Sequence, residues 1–180
     1  MKLFRLSTML MIVLLSLTSV LVMAQETPNF NSPDPAFDPP TVPLHECGVG
    51  DAELQACDMI ATQPEDIVGV WTVYFNAAPA FIRYNADGTW VIADTAENTA
   101  APVEGFPYGT FSFGEDGVFT SLDPNTPVSI MPEECRAGNY VLRVIKVGEQ
   151  PVALNHAVRE DCFAPRRTDW AYAMLWVSGE

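Results

Sequence analysis

Residues 69–94 read GVWTVYFNAAPAFIRYNADGTWVIAD, and this stretch decides the fold because it contains three short apolar segments around a strong turn signal. The segments 69–76, 81–85 and 89–94 are rich in β-branched and aromatic residues, which favour strands. Between the last two segments, Asp87 and Gly88 tolerate the left-handed backbone that a tight hairpin turn requires. The stretch therefore predicts an antiparallel β-meander.

The same pattern continues to the end of the chain. Further strands are predicted at 108–113, 118–122, 139–147, 152–160 and 169–177. Eight strands in succession can close a barrel around a side-chain core or one small ligand, which also removes exposed sheet edges. We therefore predict an all-β fold, an eight-stranded antiparallel up-and-down barrel, with a two-sheet β-sandwich as the alternative.

The predicted strands are joined by connections of two lengths. Those at 86–88, 114–117 and 148–150 are tight, whereas those at 94–107, 122–138 and 161–168 are long and contain proline. In an up-and-down meander every second connection lies at the same end of the barrel. The long loops are thus expected at one end, a mouth, and the tight turns at a closed end.

The amino-terminal part predicts export. Residues 1–24 place Lys2 and Arg5 before an apolar run, and Ala24 ends a stretch that suits signal-peptide cleavage, with an uncleaved anchor as the alternative. Residues 25–46 contain six of the fifteen prolines and predict a flexible stalk. Residues 47–180 are predicted to form a single domain, which includes a short helix at about 51–61.

Charge narrows the possible partners. The chain has nine basic and 23 acidic residues; cleavage after residue 24 would leave seven against 23, a formal charge of −16. Such a surface repels nucleic acids and anionic membranes, so neither is an expected partner.

The four cysteines predict two disulfides. All lie after the predicted signal peptide, and an even number in an exported chain favours disulfides over metal ligation. Cys135 and Cys162 lie at similar distances on either side of the turn at 148–149, so a hairpin would bring them opposite each other. Four cysteines allow three pairings, of which this one is preferred, and Cys47 with Cys57 is then the second pair by elimination.

Two motifs carry a resemblance to a known family. Residues 67–71 (IVGVW) open the first strand with Gly-x-Trp, and residues 84–89 (YNADGT) form the second hairpin turn. Over about residues 52–177 the chain resembles bacterial secreted lipocalin-like domains of the calycin group. The resemblance implies a barrel that holds a ligand, with Gly69 and Trp71 as structural residues at the closed end.

The sequence departs from the lipocalin pattern at one position. In lipocalins an arginine from the end of the last strand covers this tryptophan, whereas here Arg166 and Arg167 precede the predicted eighth strand. We expect Trp176 and the short helix to pack against Trp71 instead. Small secreted barrel inhibitors of bacterial metalloproteases are a second resemblance, since they share the Gly-x-Trp opening and use an extended amino terminus against the protease.

Residues expected at the mouth or in the interior of the barrel are candidates for ligand binding. Arg166 and Arg167 are expected at the mouth together with Arg136 and Arg159, where they would bind an anionic head group or pair with neighbouring acidic residues. Four more candidates have side chains that could line the interior: His156, Tyr172, Arg83 and Arg143. The ordinary interpretation is a core histidine, a core tyrosine and two surface arginines. No catalytic motif, metal site or cofactor motif accompanies them.

Three functions remain open. The first is a secreted, non-enzymatic protein that holds a small, mainly apolar ligand, with an anionic ligand as one option. The second is a protein-binding module, such as a secreted protease inhibitor, in which the stalk or the mouth loops contact the partner. The third is a barrel isomerase or cyclase that uses His156 with Tyr172 or an arginine.

Overall fold

A computed structural model describes residues 45–47 and 56–179. Its strands are β1 His45–Glu46, β2 Ala56–Ile60, β3 Gly69–Phe75, β4 Ala78–Tyr84, β5 Thr89–Ala93, β6 Tyr108–Phe113, β7 Phe119–Leu122, β8 Ala137–Val147, β9 Gln150–Glu160 and β10 Met174–Ser178. Short 3-10 helices lie at Pro64–Asp66, Glu97–Ala100 and Glu133–Cys135, and an α-helix, α1, at Ala164–Asp169.

Strands β3 to β10 form a closed barrel. Each pairs antiparallel with the next along the chain, and β10 returns to pair with β3 at Trp176 and Trp71. This confirms the predicted up-and-down barrel and excludes the sandwich. Strands β3 to β9 lie where the sequence predicts them, with ends that differ by up to three residues.

The eighth strand is shorter than predicted. It was expected over 169–177 but begins at Met174, because Asp169 ends α1 and residues 170–173 form the turn that follows the helix. Pro165 lies in the first turn of α1, where its fixed φ suits a helix and its missing N–H costs nothing. The alternation of Trp170, Tyr172, Met174 and Trp176 is typical of a strand, but the Trp170 amide donates to the Arg166 carbonyl at 2.9 Å and ends the helix.

The predicted short helix at 51–61 is wrong over residues 56–60. These residues form β2, which pairs antiparallel with Arg143–Val147 of β8; residues 51–55 lie outside the described part of the chain. Strand β7 pairs only with the first residues of β8, Ala137–Tyr140. The rest of that edge would leave backbone groups without partners, and β2 supplies them.

The closed end is the end that carries the tight turns 85–88, 114–118 and 148–149. Trp71 is fully buried there and packs edge-to-face against Trp176, with ring centroids 4.9 Å apart. The Trp71 indole N–H donates to the Ile67 carbonyl at 2.8 Å. The predicted contact between the two tryptophans is therefore confirmed, and residues of the loop before β3 complete the plug in place of the helix.

The packing of the two tryptophans requires a glycine at position 69. Its φ is 136°, a backbone conformation that side chains rarely adopt, and a Cβ there would overlap the ring of Trp176. In the Gly-x-Trp opening of β3, the glycine therefore leaves room for the Trp176 ring, and the tryptophan packs against that ring.

Candidate ligand-binding site

The mouth is the opposite end of the barrel, formed by the connections 76–77, 94–107, 123–136 and 161–173. Three of these are the predicted long loops. The fourth is a two-residue turn between β3 and β4. All four contribute to a cavity of about 510 Å³, which falls within the usual range for small-molecule sites.

The cavity has mainly apolar walls. Its aromatic lining includes Phe75, Trp90, Phe106, Phe163 and Trp170, and its aliphatic lining includes Ile92 and Met131. These side chains come from strands and from three separate loops, so the cavity exists only when the mouth is assembled.

Two tryptophans separate the cavity from a filled core. Trp90 and Trp170 meet edge-to-face at 6.3 Å between centroids, and both are almost fully buried. On its core side the Trp170 ring packs against Tyr140 and His156, with ring centroids 5.3 and 5.1 Å away. The Trp90 indole N–H donates to the Thr110 carbonyl at 3.0 Å, which holds its ring in place. The barrel interior is therefore filled in its lower part and hollow at the mouth.

Arg166 borders the cavity, but its charge is already paired. Its Nε and Nη2 donate to the two carboxylate oxygens of Asp161 at 2.9 and 2.8 Å. Nη1 donates to the Arg136 carbonyl and Nη2 to the Cys135 carbonyl. Burial alone would lower the pKa of Arg166, but its bonds to Asp161 and Tyr140 raise the pKa above its ordinary value.

Tyr140 completes this network. Its hydroxyl donates to Asp161 and accepts from Arg166 Nε, while burial raises the pKa of the Tyr140 phenol. The network ties β8 to the loop 123–136 and to the segment 161–173 that follows β9. A Cβ at Gly138 would lie 2.8 Å from Arg166 Nη2, so the glycine leaves room for the guanidinium.

The two predicted disulfides are confirmed. Cys135 and Cys162 are bonded, with Cα atoms 5.3 Å apart, and join the loop 123–136 to the segment 161–173 at the mouth. Cys47 and Cys57 are bonded next to the β1–β2 pair. Two such bonds are consistent with an oxidising compartment outside the cytoplasm.

Asp169 links helix α1 to the short mouth turn. Its two carboxylate oxygens accept from the amides of Asn76 and Ala77, at 2.9 and 3.3 Å. Both turn residues have positive φ, 51° and 60°, which is unusual for residues other than glycine. The carboxylate therefore holds a strained turn at the edge of the cavity.

Asp123 organises the loop that follows β7. Its side chain accepts from the amides of Asn125 and Thr126 and from the Thr126 hydroxyl. Arg136 donates through Nη1 to the Asp123 carbonyl at 3.0 Å. This local hydrogen bonding fixes the loop without using a strand or a helix.

His156 lies in the aromatic core beneath the cavity. It is 2% exposed, packs against Phe119, Tyr140 and Trp170, and lies 3.5 Å from the Tyr84 hydroxyl through Nε2. Its Nδ1 has no hydrogen-bond partner within the described residues. Burial lowers the pKa of His156 to about 3, so the ring is neutral at physiological pH.

The other candidates lie apart from one another. Tyr172 packs against Tyr74 at 5.0 Å and borders a second, smaller cavity of about 270 Å³. Arg83 donates to the Thr99 hydroxyl at 3.1 Å, and Arg143 forms an ion pair with Asp58 of β2. Arg167 is exposed and reaches the Asp161 carbonyl at 3.3 Å. Of the six candidates, only Arg166 borders the mouth cavity.

Sequence reasoning missed most of the cavity lining. The predicted ligand-binding residues do not include the cavity-lining residues Phe75, Trp90, Phe106, Asp123 and Trp170. Asp123 had a usable signal, since Asp-Pro-Asn-Thr directly after a strand is typical of a side-chain-capped turn. The aromatic residues carried no such signal, because residues that fill a core and residues that line a cavity alternate along a strand in the same way.

Comparisons with protein-family models, with curated proteins and with solved structures gave no match to this chain. Within the described ranges, no helix is long and apolar enough to cross a membrane. The same residues place no group of three or more histidine, cysteine or acidic side chains where it could hold a metal ion.

Proposed function

We propose that this is a secreted binding protein that holds a small, mainly apolar molecule in the mouth cavity. The observation that supports it most is the aromatic-lined space of about 510 Å³ above the paired tryptophans Trp90 and Trp170. Loops that carry a binding site on a rigid barrel are a common arrangement. The disulfide Cys135–Cys162 and the Arg166–Asp161 pair hold the loops before a ligand arrives.

Preorganisation favours a binding role. A site whose walls are already ordered loses less conformational entropy when a ligand enters. Three of the four mouth connections are tied by a disulfide, a buried ion pair or a carboxylate cap. The proposed ligand therefore fits an existing space.

Filling the cavity tests the proposal. Val103 is half-buried in the cavity wall, so Val103→Phe should occupy the space and weaken the binding of apolar probes at least about tenfold. Val118→Phe is the matched control, because Val118 is half-buried beside a turn at the closed end. Isothermal titration calorimetry with 1-naphthol, phenylbutanol and decanol would measure binding. The proposal would be rejected if the unaltered protein showed no saturable binding of these probes or of the charged analogues of phenylbutanol.

Export has its own test. Residues 1–24 lie outside the described part of the chain, and their role as a signal peptide remains a prediction. Expression of the full chain in a bacterium, followed by intact mass and amino-terminal sequencing of the exported protein, should show a chain that begins at Gln25. Recovery of the uncleaved chain from membranes would favour the anchor.

A protein-binding role is the second candidate, supported by two exposed apolar side chains. Val128 and Ile130 of the loop 123–136 are 60% and 62% exposed, far more than their residue types usually are. A partner such as a secreted protease would cover them. The double variant Val128→Ser with Ile130→Ser should then abolish inhibition, as should deletion of residues 25–46 if the stalk contacts the protease. Absence of inhibition by the intact chain against a panel of secreted proteases would remove this candidate.

The isomerase or cyclase hypothesis has little support. It requires His156 near a substrate, yet this residue borders neither of the two cavities described above. The low pKa also leaves it a weak base.

A further inference from the structure

Two buried carboxylates border the mouth cavity and have no cationic partner among the residues that the structure describes. Asp123 is 3% exposed and Asp169 is 9% exposed. Within the described residues the ion pairs are Arg143–Asp58 and Arg166–Asp161, so neither of these two acids is included. Burying a carboxylate without a cation is unfavourable, and hydrogen bonds from backbone amides offset only part of this cost.

Both carboxylates keep unused capacity to accept hydrogen bonds. An ionised carboxylate offers about four acceptor positions. Asp169 uses two of them, one on each oxygen, for the amides of the 76–77 turn. Asp123 uses three, for two amides and one hydroxyl.

The charge around the cavity is negative. Glu104 at the exposed rim is a third acid among the lining residues, against one cation, Arg166, which Asp161 already neutralises. Arg136 lies close to Asp123 but donates to its backbone carbonyl. An entering anion would meet like charge in a partly desolvated space, whereas a cation would meet opposite charge.

The walls also suit a cation. Aromatic rings attract positive charge through their electron-rich faces, and tryptophan does so most strongly. Trp90 and Trp170 form the floor, and Phe75 and Phe106, whose centroids are 5.4 Å apart, form part of the wall. Aromatic walls combined with acidic groups are the chemistry that recognises amines and quaternary ammonium groups.

We infer that the cavity takes an organic cation, an amine or a quaternary ammonium group on a small apolar body, and discriminates against carboxylates. This inference rests on the proposed function, since it names the class of ligand for the same cavity. It also replaces the anionic option that the mouth arginines suggested, because Arg166 is bound to Asp161.

Three probes with one shared body test the inference. The compounds 4-phenylbutylamine, 4-phenylbutan-1-ol and 4-phenylbutyrate share a phenyl ring on a four-carbon chain, and at neutral pH they end in a cationic ammonium, a neutral hydroxyl and an anionic carboxylate. Calorimetric titration of the full protein should show the amine binding at least about tenfold more tightly than the alcohol, and the acid more weakly than both. Phenyltrimethylammonium should also bind, because recognition of its charge requires no N–H donor.

Variants then assign the preference to the named acids. Asp169→Asn and Asp123→Asn should each reduce the preference for amine over alcohol by severalfold, and Glu104→Gln, an exposed change that leaves folding intact, by less. Glu149→Gln in the exposed closed-end turn 148–149 removes the same charge far from the cavity and should leave the preference unchanged. Circular dichroism would confirm that each variant is folded.

The outcomes separate the two proposals. If the alcohol or the acid binds as tightly as the amine, the cation inference is wrong and the binding function stands. If the preference survives unchanged in all three site variants, the acids do not produce it and the inference is again wrong. If none of the probes binds, both fall.

Discussion

The two ends of the barrel differ in how their side chains are held: the closed end is packed solid, whereas the mouth keeps a cavity. At the closed end, Trp71 and Trp176 pack directly on each other, and a single indole hydrogen bond satisfies the buried polar atom of Trp71. At the mouth, Arg166, Asp161, Asp123 and Asp169 are held by hydrogen bonds, and a cavity remains between them. Dense apolar packing stabilises the fold, whereas fixed polar ties keep a space open.

This difference separates stability from binding. Changes at the closed end should lower the free energy of unfolding and leave ligand affinity nearly unchanged as long as the protein folds. Changes at the mouth should do the reverse, or affect both.

The largest effect is expected from Trp71→Ala. Truncating a fully buried tryptophan in a filled region should cost about 3–5 kcal/mol, because the surrounding side chains cannot collapse into the space. Trp170→Ala should cost less, since Trp170 already borders a cavity, but it should alter probe affinity. Urea unfolding followed by circular dichroism gives the free energies. A smaller loss for Trp71→Ala than for Trp170→Ala would contradict the comparison.

The disulfides give the next largest effect. Replacing Cys135 and Cys162 by serine opens a 27-residue separation, and the chain-entropy model predicts a loss of about 3.5 kcal/mol. The same change at Cys47 and Cys57 opens a 10-residue separation and predicts a loss of about 2.7 kcal/mol. Only the first pair joins two cavity-lining loops, so only its removal should weaken probe binding. Equal effects of both pairs on binding would show that the bridge at the mouth does not organise the cavity.

The sequence was sufficient for the barrel and for both disulfides. Strand alternation, hairpin turns and meander parity depend on local spacing, which a single sequence shows directly. Parity also placed Arg166 at the mouth. It could not show that Asp161, five residues earlier, would bind the guanidinium in a bidentate manner, because that geometry depends on α1.

The two wrong assignments of secondary structure have different physical causes. Residues 56–60 were predicted helical on local pattern, but the unpaired edge of β8 recruits them as β2. Residues 164–169 were divided between a loop and a strand, although Pro165 is well suited to begin a helix. In the first case contacts distant in sequence outweighed the local pattern, whereas in the second the strand alternation of the following residues concealed a local helix signal. The division between filled core and open cavity depends on side-chain volumes in three dimensions, so no pattern along the chain could reveal it.

A pH titration of stability probes where the filled region begins. The folded-state pKa of His156 is about 3, well below its ordinary value, because burial disfavours the charged ring. Between pH 6.5 and pH 3 the unfolded chain therefore binds a proton that the folded protein does not, and stability falls as the pH falls. From pH 8 to pH 5 this group alone should lower the free energy of unfolding by about 2 kcal/mol.

The variant His156→Leu isolates this contribution. It removes the titrating ring. Between pH 8 and pH 5 its free energy of unfolding should therefore fall by about 2 kcal/mol less than that of the unaltered protein. Denaturant titrations at several pH values measure both proteins. If their pH dependences were parallel, His156 would be in contact with water, and the floor formed by Trp90 and Trp170 would not seal the core.

The smallest effects are expected from substitutions of two alanines that lie in turns at opposite ends of the barrel. Ala77 in the mouth turn has a φ of 60°, which is strained for alanine and free of strain for glycine, so Ala77→Gly should stabilise the protein by about 0.5–1 kcal/mol. Ala86 in the closed-end turn is not among the described residues with positive φ, so Ala86→Gly adds only unfolded-state entropy and should destabilise by a similar amount. Urea unfolding measures both changes in the free energy of unfolding. If they have opposite signs, the strain lies in the mouth turn, which the Asp169 carboxylate holds at the edge of the cavity. If Ala77→Gly also weakened the binding of 4-phenylbutylamine, the strain would contribute to the shape of the site; a loss of stability on Ala77→Gly would show that the turn carries no strain to relieve.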